Sequence, residues 1–520
     1  MHKSAFPGAL SYAVSLGLVA GLNAADLVVD QGDPVAFVKA AIARGEKTIR
    51  VPKGKYFIGT EDTTFFRLSG LKDVTLDFGG SELICGKRTR YVGLDHCTNC
   101  VVKNAFFDMD PLPYVQGIIE KVLPDDVWEV RVLDDYAQGA VGPDQGDRLG
   151  GVTPEYGDGW PFQVYDRETL ETKTWMRAFR GFRMERIGAS LYRVSGGDER
   201  KGAVGDYCVW RAGETARKAD VFGIHLDRCR GCRVENVTMY TSWGVAFNEH
   251  FSSASVWKNC HLMRRPPETD VRRHSVPRLR SGAHDAFNSR MAEVGPRLEN
   301  CSFAYHCDDS VNICGYYAVV TETEGKTARI LYKGAARYGQ LLFSGDTLEI
   351  MTKEGETKAD RPKLLAIRND APQTPEELAY LKTLKLWMGQ AEICTDGARI
   401  EIDRPDVLRK GDLVIAENRQ GNGWALVNCS FGPNRAFGLR IRASHGLVEN
   451  CTFRATQGAA AFIGPEYEWF EGGFGNDILF RNNRFIGYEN RERIVIGGRA
   501  AYGKTIPASA HVGIREETTD

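Results

Sequence analysis

Short runs of alternating apolar and polar residues, each interrupted by an asparagine, recur along the chain. Seven segments have a small or polar residue, an apolar residue, then Asn and another apolar residue: CVVKNAFF (100–107), CRVENVTM (232–239), ASVWKNCHLM (254–263), PRLENCSF (296–303), WALVNCSF (424–431), GLVENCTF (446–453) and DILFRNNRF (477–485). Asn236 and Asn259 are 23 residues apart, and Asn428 and Asn450 are 22 apart. A period of about 20 to 25 residues indicates a solenoid, in which each repeat adds one coil of short strands.

The segment before the first repeat has a different pattern. Residues 32–58 predict an amphipathic helix, a Gly stop, a strand, a Pro-Lys-Gly turn and a second strand. A helix at this position would cover the open edge of the first coil, which otherwise invites aggregation. This helical start and the Asn repeat resemble the right-handed parallel β-helix of the pectin-lyase-like superfamily. The fold class that this resemblance implies is all-β.

Two blocks interrupt the Asn repeat. Residues 112–220 and 316–418 alternate apolar and polar residues between Gly and Asp turns, which indicates antiparallel strands, and we predict two small β-barrels inserted between coils. Residues 371–386 predict a short helix within the second block. The predicted divisions are a signal peptide (1–24), the N-terminal β-helix with its capping helix (25–111), the first inserted barrel (112–220), the catalytic coils (221–315), the second inserted barrel (316–418), the C-terminal β-helix (419–495) and a tail (496–520).

The first residues predict export. His2 and Lys3 precede the apolar stretch ALSYAVSLGLVAGLNA, with a plausible cleavage site after Ala24. The stretch is shorter than the roughly 20 apolar residues that a membrane span needs. We therefore expect a periplasmic or secreted protein of bacterial type without a stable membrane anchor; a buried N-terminal segment is the alternative.

Charge and cysteine content narrow the class of protein. The chain has 520 residues and a net charge of −1, so nothing in its charge suggests binding to nucleic acid. It has 13 cysteines, an odd number that cannot all pair. CTNC (97–100) and CRGC (229–232) superficially resemble half zinc sites, but cysteines also recur at the repeat positions. Those predicted as stacked core residues are Cys260, Cys301, Cys429 and Cys451.

Two acidic segments carry the candidate chemistry. HCDDSVNICG (306–315) is partly repeated in GAHDAFNSR (282–290). Asp285 and Asp309 are 24 residues apart, which is one coil, so we expect them to stack, with Asp308 beside Asp309. Three carboxylates would then share one ridge of the solenoid.

Crowded carboxylates have three interpretations. Like charges push pKa values apart, so that one carboxyl keeps a proton at neutral pH while another is ionised, and glycosidases use such a pair as general acid and base. Inverting enzymes separate the two groups by about 6.5–9.5 Å. The other interpretations are a solvated turn and a calcium site, which needs six or more oxygen ligands.

At these motifs the chain is similar to glycoside hydrolase family 110, whose members are exo-acting α-1,3-galactosidases on a β-helix with inserted barrels. The similar segments are SGAHDAF (281–287), GPRLENCSFAYHCDDSVNICG (295–315), PYVQGIIEKV (113–122) and EYEWFEGGFGNDILFRNNRF (466–485), and the likeness covers about residues 30–490. The family pattern has histidines where this chain has Asn288 and Cys314.

The resemblance implies an inverting exo-glycosidase that removes terminal α-linked galactose and requires no cofactor and no metal. By position it implies the catalytic residues Asp285, Asp308 and Asp309. Among these we assign Asp308 as general acid, with Asp285 and Asp309 positioning and deprotonating water. A polysaccharide lyase and a non-catalytic carbohydrate-binding β-helix remain alternatives on the same fold.

Further residues are candidates for sugar binding because they lie in the same coils or in a Gly-rich loop. They are His284, His306, Asn312, Trp243, Asn248, Glu249, Arg440, Trp469 and Glu471. The histidines would orient carboxylates or bind hydroxyls, Arg440 would meet a hydroxyl or an acidic substituent, and Trp469 would stack on a sugar face. Ordinary packing or solvent exposure explains each of these residues equally well.

Overall fold

The computed structural model describes ten segments of the chain: 32–59, 64–86, 89–137, 162–173, 183–195, 202–211, 222–334, 339–386, 389–454 and 456–518. The predicted signal peptide lies outside the described residues. Among the described residues, no helix has the length and apolar character needed to span a bilayer.

The predicted N-terminal helix spans Pro34–Ala43. Asp33 caps it by accepting a hydrogen bond from the Val35 amide at 2.8 Å, and Pro34 occupies the first turn, where its missing N–H removes no intrahelical bond. Its buried residues, among them Val35 and Val38, join the core of the first coils. The helix therefore covers the edge of the solenoid at this end.

Two long parallel sheets form the solenoid. The first, coil sheet 1, consists among the described residues of Thr48–Arg50, Lys55–Ile58, Thr75–Cys85, Val101–Met109, Arg233–Met239, Val256–Leu262, Arg297–Glu299, Ser302–Phe303, Ala425–Val427, Ser430–Phe431, Gly446–Glu449, Thr452–Arg454, Ile478–Arg481, Arg484–Ile486 and Arg515–Glu517. The second, coil sheet 2, consists of Thr64–Ser69, Arg90–Asp95, Ile224–Asp227, Phe247–His250, Phe287–Arg290, Val311–Tyr316, Leu439–Ile441, Ala461–Ile463 and Ile494–Ile496, with Glu471–Gly472 antiparallel at its side. Each coil adds parallel strands to both sheets, which confirms the predicted all-β parallel β-helix.

The repeated asparagines form a ladder of side-chain hydrogen bonds at the bends of coil sheet 1. Asn236 has a φ of 54°, in the left-handed region that Asn tolerates better than most residues. Its amide nitrogen donates to Asn104 at 3.0 Å, and its carbonyl oxygen accepts from Asn259 at 2.8 Å. Asn450 donates to Asn428 in the same way at 3.3 Å. The motif therefore recurs because each coil turns its corner with the same backbone conformation.

The interior of the solenoid is filled by apolar side chains and thiols. All 13 cysteines lie in described parts of the chain, and their side chains are buried. Cys260, Cys301, Cys429 and Cys451 belong to the main core, as predicted. The two CxxC pairs also face this core. They lie on adjacent coils, because Thr98, within the first pair, forms a parallel β-bridge with Arg230, within the second.

Two antiparallel sheets with cores of their own interrupt the coils. Insert sheet 1 consists among the described residues of Tyr114–Leu123, Val127–Val132, Gln163–Tyr165, Arg183–Arg186, Leu191–Ser195 and Tyr207–Arg211. Insert sheet 2 consists of Ala318–Glu324, Thr327–Tyr332, Leu348–Met351, Leu364–Asp370, Asp396–Ile402 and Leu413–Ala416. A short hairpin joins Gly498–Arg499 to Thr505–Ile506. Each insert sheet leaves the solenoid after one coil and returns to the next.

Short helices lie both in the two inserts and between coils. The helix predicted within 371–386 spans Pro375–Thr383, with Thr374 and Glu377 forming a capping box. In the described parts of the chain, the other short helices are the α-helices Asp134–Ala137 and Gln390–Ile393 and the 3-10 helices Pro124–Asp126, Pro267–Thr269, Tyr467–Trp469, Ala501–Gly503 and Ala508–Ala510.

Replacing a ladder asparagine tests this account of the coil corner. Asn236→Ala is expected to lower the free energy of unfolding by about 1–2 kcal/mol, because alanine is strained in the left-handed region and the ladder hydrogen bonds are lost. Asn236→Gly tolerates the positive φ and is expected to lose less. Guanidinium chloride unfolding of both variants measures the difference. An alanine variant as stable as the wild-type protein would contradict the account.

Candidate active site

The candidate site lies on coil sheet 2, where the strands pair in register. Asn248 is the partner of Asn288, Asn288 of Asn312, and Asn312 of Arg440. The segments VAFN (245–248), DAFN (285–288) and DSVN (309–312) are thereby aligned on adjacent strands. The same register also brings the coil that returns from insert sheet 2 directly beside the aspartates.

The three aspartates meet just before these strands begin. One carboxylate oxygen from each of Asp285, Asp308 and Asp309 lies within 4.8 Å of the other two. The Asp309 amide donates to one oxygen of Asp285 at 3.1 Å, and the Asn288 side-chain amide donates to the other at 2.8 Å. Asp309 is buried, while Asp285 and Asp308 are half-buried. The expected stacking of Asp285 on Asp309 is therefore observed.

The following coil contributes positive charge. Arg435 places Nη2 3.1 Å from Asp308 Oδ1, and Arg440 places Nη1 3.7 Å from Asp309 Oδ2. The backbone amide of Phe437 donates to Asp309 Oδ1 at 3.0 Å. Two guanidinium groups thus partly offset the repulsion among three carboxylates.

Burial and mutual repulsion change the acidity of the cluster. Burial, followed by the charges of Asp308 and Asp309, raises the pKa of Asp285 well above its ordinary value. Burial likewise raises the pKa of Asp309 to about 7, with Arg440 opposing the rise. The cluster therefore retains a proton near neutral pH, which ordinary aspartates do not.

The two histidines of these motifs differ in environment. His306 is fully buried, and its Nε2 shares a hydrogen bond of 3.1 Å with the Ser310 hydroxyl. Burial and the charge of Arg435 lower the pKa of His306 to about 3, so the ring is neutral. His284 is half-buried and directly precedes Asp285.

Two of the candidate asparagines are tied into the row that runs through Asn288. Asn312 is buried, and its side-chain oxygen accepts from Arg442 at 3.0 Å. Asn248 is also buried, and its side-chain nitrogen lies 2.7 Å from Nδ1 of His225. Both amides are therefore held by neighbours on adjacent coils.

Glu249, a candidate for sugar binding, does not belong to this row and points into the core instead. Its carboxylate accepts hydrogen bonds from Ser255 and, at 2.6 Å, from Ser289, and it lies 3.4 Å from the indole nitrogen of Trp257 in the core. Side chains alternate across a strand, so the residue after Asn248 points into the coil. Trp243 is half-buried and packs against the main core.

The Gly-rich loop reaches the strand that carries Asn312. Strand Glu471–Gly472 pairs antiparallel with residues 315–316 at the end of that strand. Glu471 is buried, and its carboxylate lies 3.1 Å from Nη2 of Arg442. Trp469 is half-buried at the end of a 3-10 helix in the same loop.

Several residues at the site were not predicted from sequence. They are Asn434, which donates to the Asp308 carbonyl at 2.7 Å, and Arg435, Phe437, Arg442 and Glu466. The segment FGLR (437–440) follows the same register as DSVN, so alignment across insert sheet 2 would have indicated Phe437 and its neighbours. Glu466 begins the segment 466–485 that carries the family resemblance, but the coil repeat gives it no position, because its loop lies outside the strand register.

The raised pKa of Asp285 predicts a pH-dependent cost in stability. An acid whose pKa is raised by folding contributes its full stability below the unfolded pKa of about 4 and loses it as pH rises toward the folded pKa. Asp285→Asn cannot ionise, so its stability relative to wild type is expected to rise with pH from about pH 4 through neutral pH, by up to about 1.4 kcal/mol per pH unit.

Denaturant unfolding of both proteins across this range measures the effect. Asp166→Asn is the control, because backbone hydrogen bonds lower the pKa of Asp166 and no such rise is expected. A relative stability of Asp285→Asn that does not change with pH would contradict the raised pKa.

The chain has curated relatives at low identity. It is 26% identical to alpha-1,3-galactosidase B of Bacteroides thetaiotaomicron over 435 residues, which are 80% of this chain and 64% of that protein. It is 24% identical to alpha-1,3-galactosidase A of the same organism, over 81% of this chain and 68% of the relative. Alpha-1,3-galactosidase B of Phocaeicola vulgatus is 24% identical over 87% of this chain and 76% of the relative. The match to the first relative thus spans just under two thirds of its length.

No protein-family profile matches the chain. Among solved structures, an exopolygalacturonase from Thermotoga maritima aligns with 92% of this chain and 75% of its own, at 10% identity and a TM-score of 0.30. The fold assignment rests on the strand register of the chain itself. The resemblance found in the motifs is confirmed by the curated relatives: the chain is a homologue of proteins named α-1,3-galactosidase.

Proposed function

We propose that the protein is an exo-acting, inverting glycoside hydrolase that removes terminal α-linked galactose from glycans or polysaccharides. The observation that carries this proposal is the cluster of Asp285, Asp308 and Asp309, whose oxygens lie within 4.8 Å of one another and which retains a proton near neutral pH. Glycoside hydrolysis needs one protonated and one ionised carboxyl group on either side of the scissile bond. The names of the homologues support galactose as the sugar.

In the proposed reaction Asp308 is the general acid. Its side chain is 27% exposed, against 7% for Asp309, so it is better placed to reach a glycosidic oxygen arriving from solvent. Asp308 gives its proton to that oxygen, the bond to the anomeric carbon breaks, and the alcohol leaves. Asp285 and Asp309 hold the water whose oxygen attacks the anomeric carbon, and one of them takes its proton.

Asp308 lies beside two carboxyl groups whose pKa values are raised, with one oxygen of each of the three within 4.8 Å of the others. The proton that the cluster keeps is therefore available to Asp308 when a substrate oxygen approaches it. Arg435 lies beside Asp308 and stabilises the carboxylate that remains after the transfer. The next turnover requires the proton taken from water to return to Asp308.

The stereochemistry belongs to the proposal. Retaining enzymes hold their carboxyl groups about 5–5.5 Å apart and inverting enzymes about 6.5–9.5 Å apart. Oxygens within 4.8 Å are compatible with carbon separations in either range, since each carboxyl carbon lies about 1.2 Å from its oxygen. Inversion is proposed because a cluster of three acids can hold a water molecule against two of them. We further propose an exported enzyme, for which the N-terminal apolar stretch is the support.

A release assay tests the substrate and the mechanism together. The protein is incubated with a panel of α-galactosides that differ in linkage, branching and sulfation, and proton NMR records the first anomer of free galactose. Free galactose that is initially β is expected. An initially α product would contradict inversion, and the release of internal fragments would contradict exo action.

The same assay separates the rival functions. A lyase would release an unsaturated product that absorbs in the ultraviolet, and a lyase that depends on calcium would lose activity with a chelator. We expect no such absorbance and full activity in excess EDTA. Sugar binding without turnover on any member of the panel would favour the carbohydrate-binding alternative.

Substitution of the aspartates tests the assignment of the site. Asp308→Asn and Asp309→Asn are each expected to lower kcat by about 10²–10⁴-fold, the usual loss when an acid or base is removed. Asp227→Asn is the matched control, because Asp227 is a half-buried aspartate with a raised pKa on the same sheet, outside the cluster. Hydrolysis that survives in both site variants would contradict the assignment, as would an equal loss in the control.

A further inference from the structure

A buried glutamate, Glu466, is linked to the aspartate cluster through Arg440. Glu466 is 1% exposed, and its loop is fixed by two backbone hydrogen bonds with Glu471, of 3.0 and 3.2 Å. One oxygen of the Glu466 carboxylate contacts the guanidinium groups of both Arg440 and Arg442. Glu466 therefore occupies a fixed position between Arg440, in the strand Leu439–Ile441, and Arg442, directly after it.

Arg440 connects this acid to the catalytic cluster. Its Nη2 contacts Glu466, and its Nη1 lies 3.7 Å from Asp309 Oδ2, which is longer than a charged hydrogen bond of about 2.8 Å. The guanidinium carbon lies 5.1 Å from the ring centre of Phe437 and 5.5 Å from that of Phe462. These contacts hold the guanidinium group while leaving its pairing with Asp309 incomplete.

We infer that Glu466 is a positioning residue: its carboxylate holds one end of the Arg440 guanidinium group and so keeps Arg440 from pairing fully with the carboxylate of Asp309. The inference rests on the proposed function, since it assigns Glu466 a role in the acid–base cycle of that site. Glu466 does not touch the reacting atoms; it acts through Arg440.

The need to neutralise the charge of Arg442 does not by itself explain why a buried carboxylate lies at position 466. Arg442 already has Glu471 at 3.1 Å and the side-chain oxygen of Asn312 at 3.0 Å. Among the described residues, the carboxylates that contact Arg440 are Asp309 and Glu466. The charge of Glu466 therefore decides how strongly Arg440 attracts Asp309.

The direction of the effect follows from the charges around Asp309. They are Asp308 beside it, Asp285 on the preceding coil, and Arg435 and Arg440 on the following coil. Arg440 lowers the pKa of Asp309, while burial and Asp308 raise it. Removing the charge of Glu466 leaves Arg440 free to close on Asp309, so the aspartate should lose its proton at a lower pH.

Carboxyl carbon-13 NMR of the full chain tests the inference without substrate. The Asp309 signal is assigned by its loss in Asp309→Asn and then titrated in the wild-type protein and in Glu466→Gln. The midpoint is expected to fall by about one pH unit in Glu466→Gln, as usual for a closer ion pair, and to return toward wild type in Glu466→Asp. The limb of kcat/KM that follows this titration should move in the same direction. An unchanged midpoint overturns the inference.

A second pair of variants separates positioning from a structural role. Arg440→Met should raise the Asp309 midpoint, and adding Glu466→Gln to it should change the midpoint much less than in the presence of Arg440. An equal shift in both backgrounds overturns the inference, because Glu466 would then act without Arg440. If Glu466→Gln does not fold, an unchanged midpoint in Arg440→Met overturns it as well.

Glu349→Gln is the matched control, because Glu349 is a buried acid in insert sheet 2 that faces Gln420 rather than Arg440. It should leave the Asp309 titration unchanged, and a shift equal to that of Glu466→Gln would overturn the specific role. The titration requires no turnover. A protein that hydrolyses none of the α-galactosides but shows the expected shifts would therefore refute the proposed function alone.

Discussion

The parallel register of the coils is the constraint on which the rest of the structure depends. Strands in adjacent coils lie about 4.8 Å apart, so residues at equivalent positions become neighbours whatever their distance in sequence. Asn104 and Asn236 are joined by a ladder hydrogen bond although insert sheet 1 separates them. The same register stacks Asp285 on Asp309. One rule of assembly therefore produces both the stable corners of the solenoid and the crowded carboxylates.

The crowded site is destabilising as a set of like charges and is compensated only in part. Asp285 and Asp309 have raised pKa values because burial and mutual repulsion favour their neutral forms. Arg435 and Arg440 oppose this, but Arg440 is shared with Glu466. Full pairing of every aspartate with an arginine would ionise the cluster at neutral pH. The incomplete compensation is what leaves a proton for the proposed chemistry.

Insert sheet 1 contacts the site directly, and insert sheet 2 separates two segments of the site in the sequence. Gln163 of insert sheet 1 accepts a hydrogen bond from the Cys307 thiol, next to Asp308. Insert sheet 2 lies between Asp309 and Arg440 in the sequence, so these two residues are far apart along the chain although they face each other in the structure. The repeat alone predicts which coils are neighbours only when the insertions are recognised and removed from the count.

The solenoid and the stacking of the aspartates could be predicted from the sequence, because a fixed repeat length and a recurring Asn corner leave little freedom in register. The capping helix could be predicted from its own amphipathic pattern. Which side chains share the ridge of the aspartates depends on their directions and contacts in the folded chain. Asn248 lies in the row with Asn312, while its neighbour Glu249 points into the core, because the pleat of the strand alternates its side chains. Glu466 approaches Arg440 only because its loop folds back along the strand end, a contact between segments outside the repeat that local patterns do not encode.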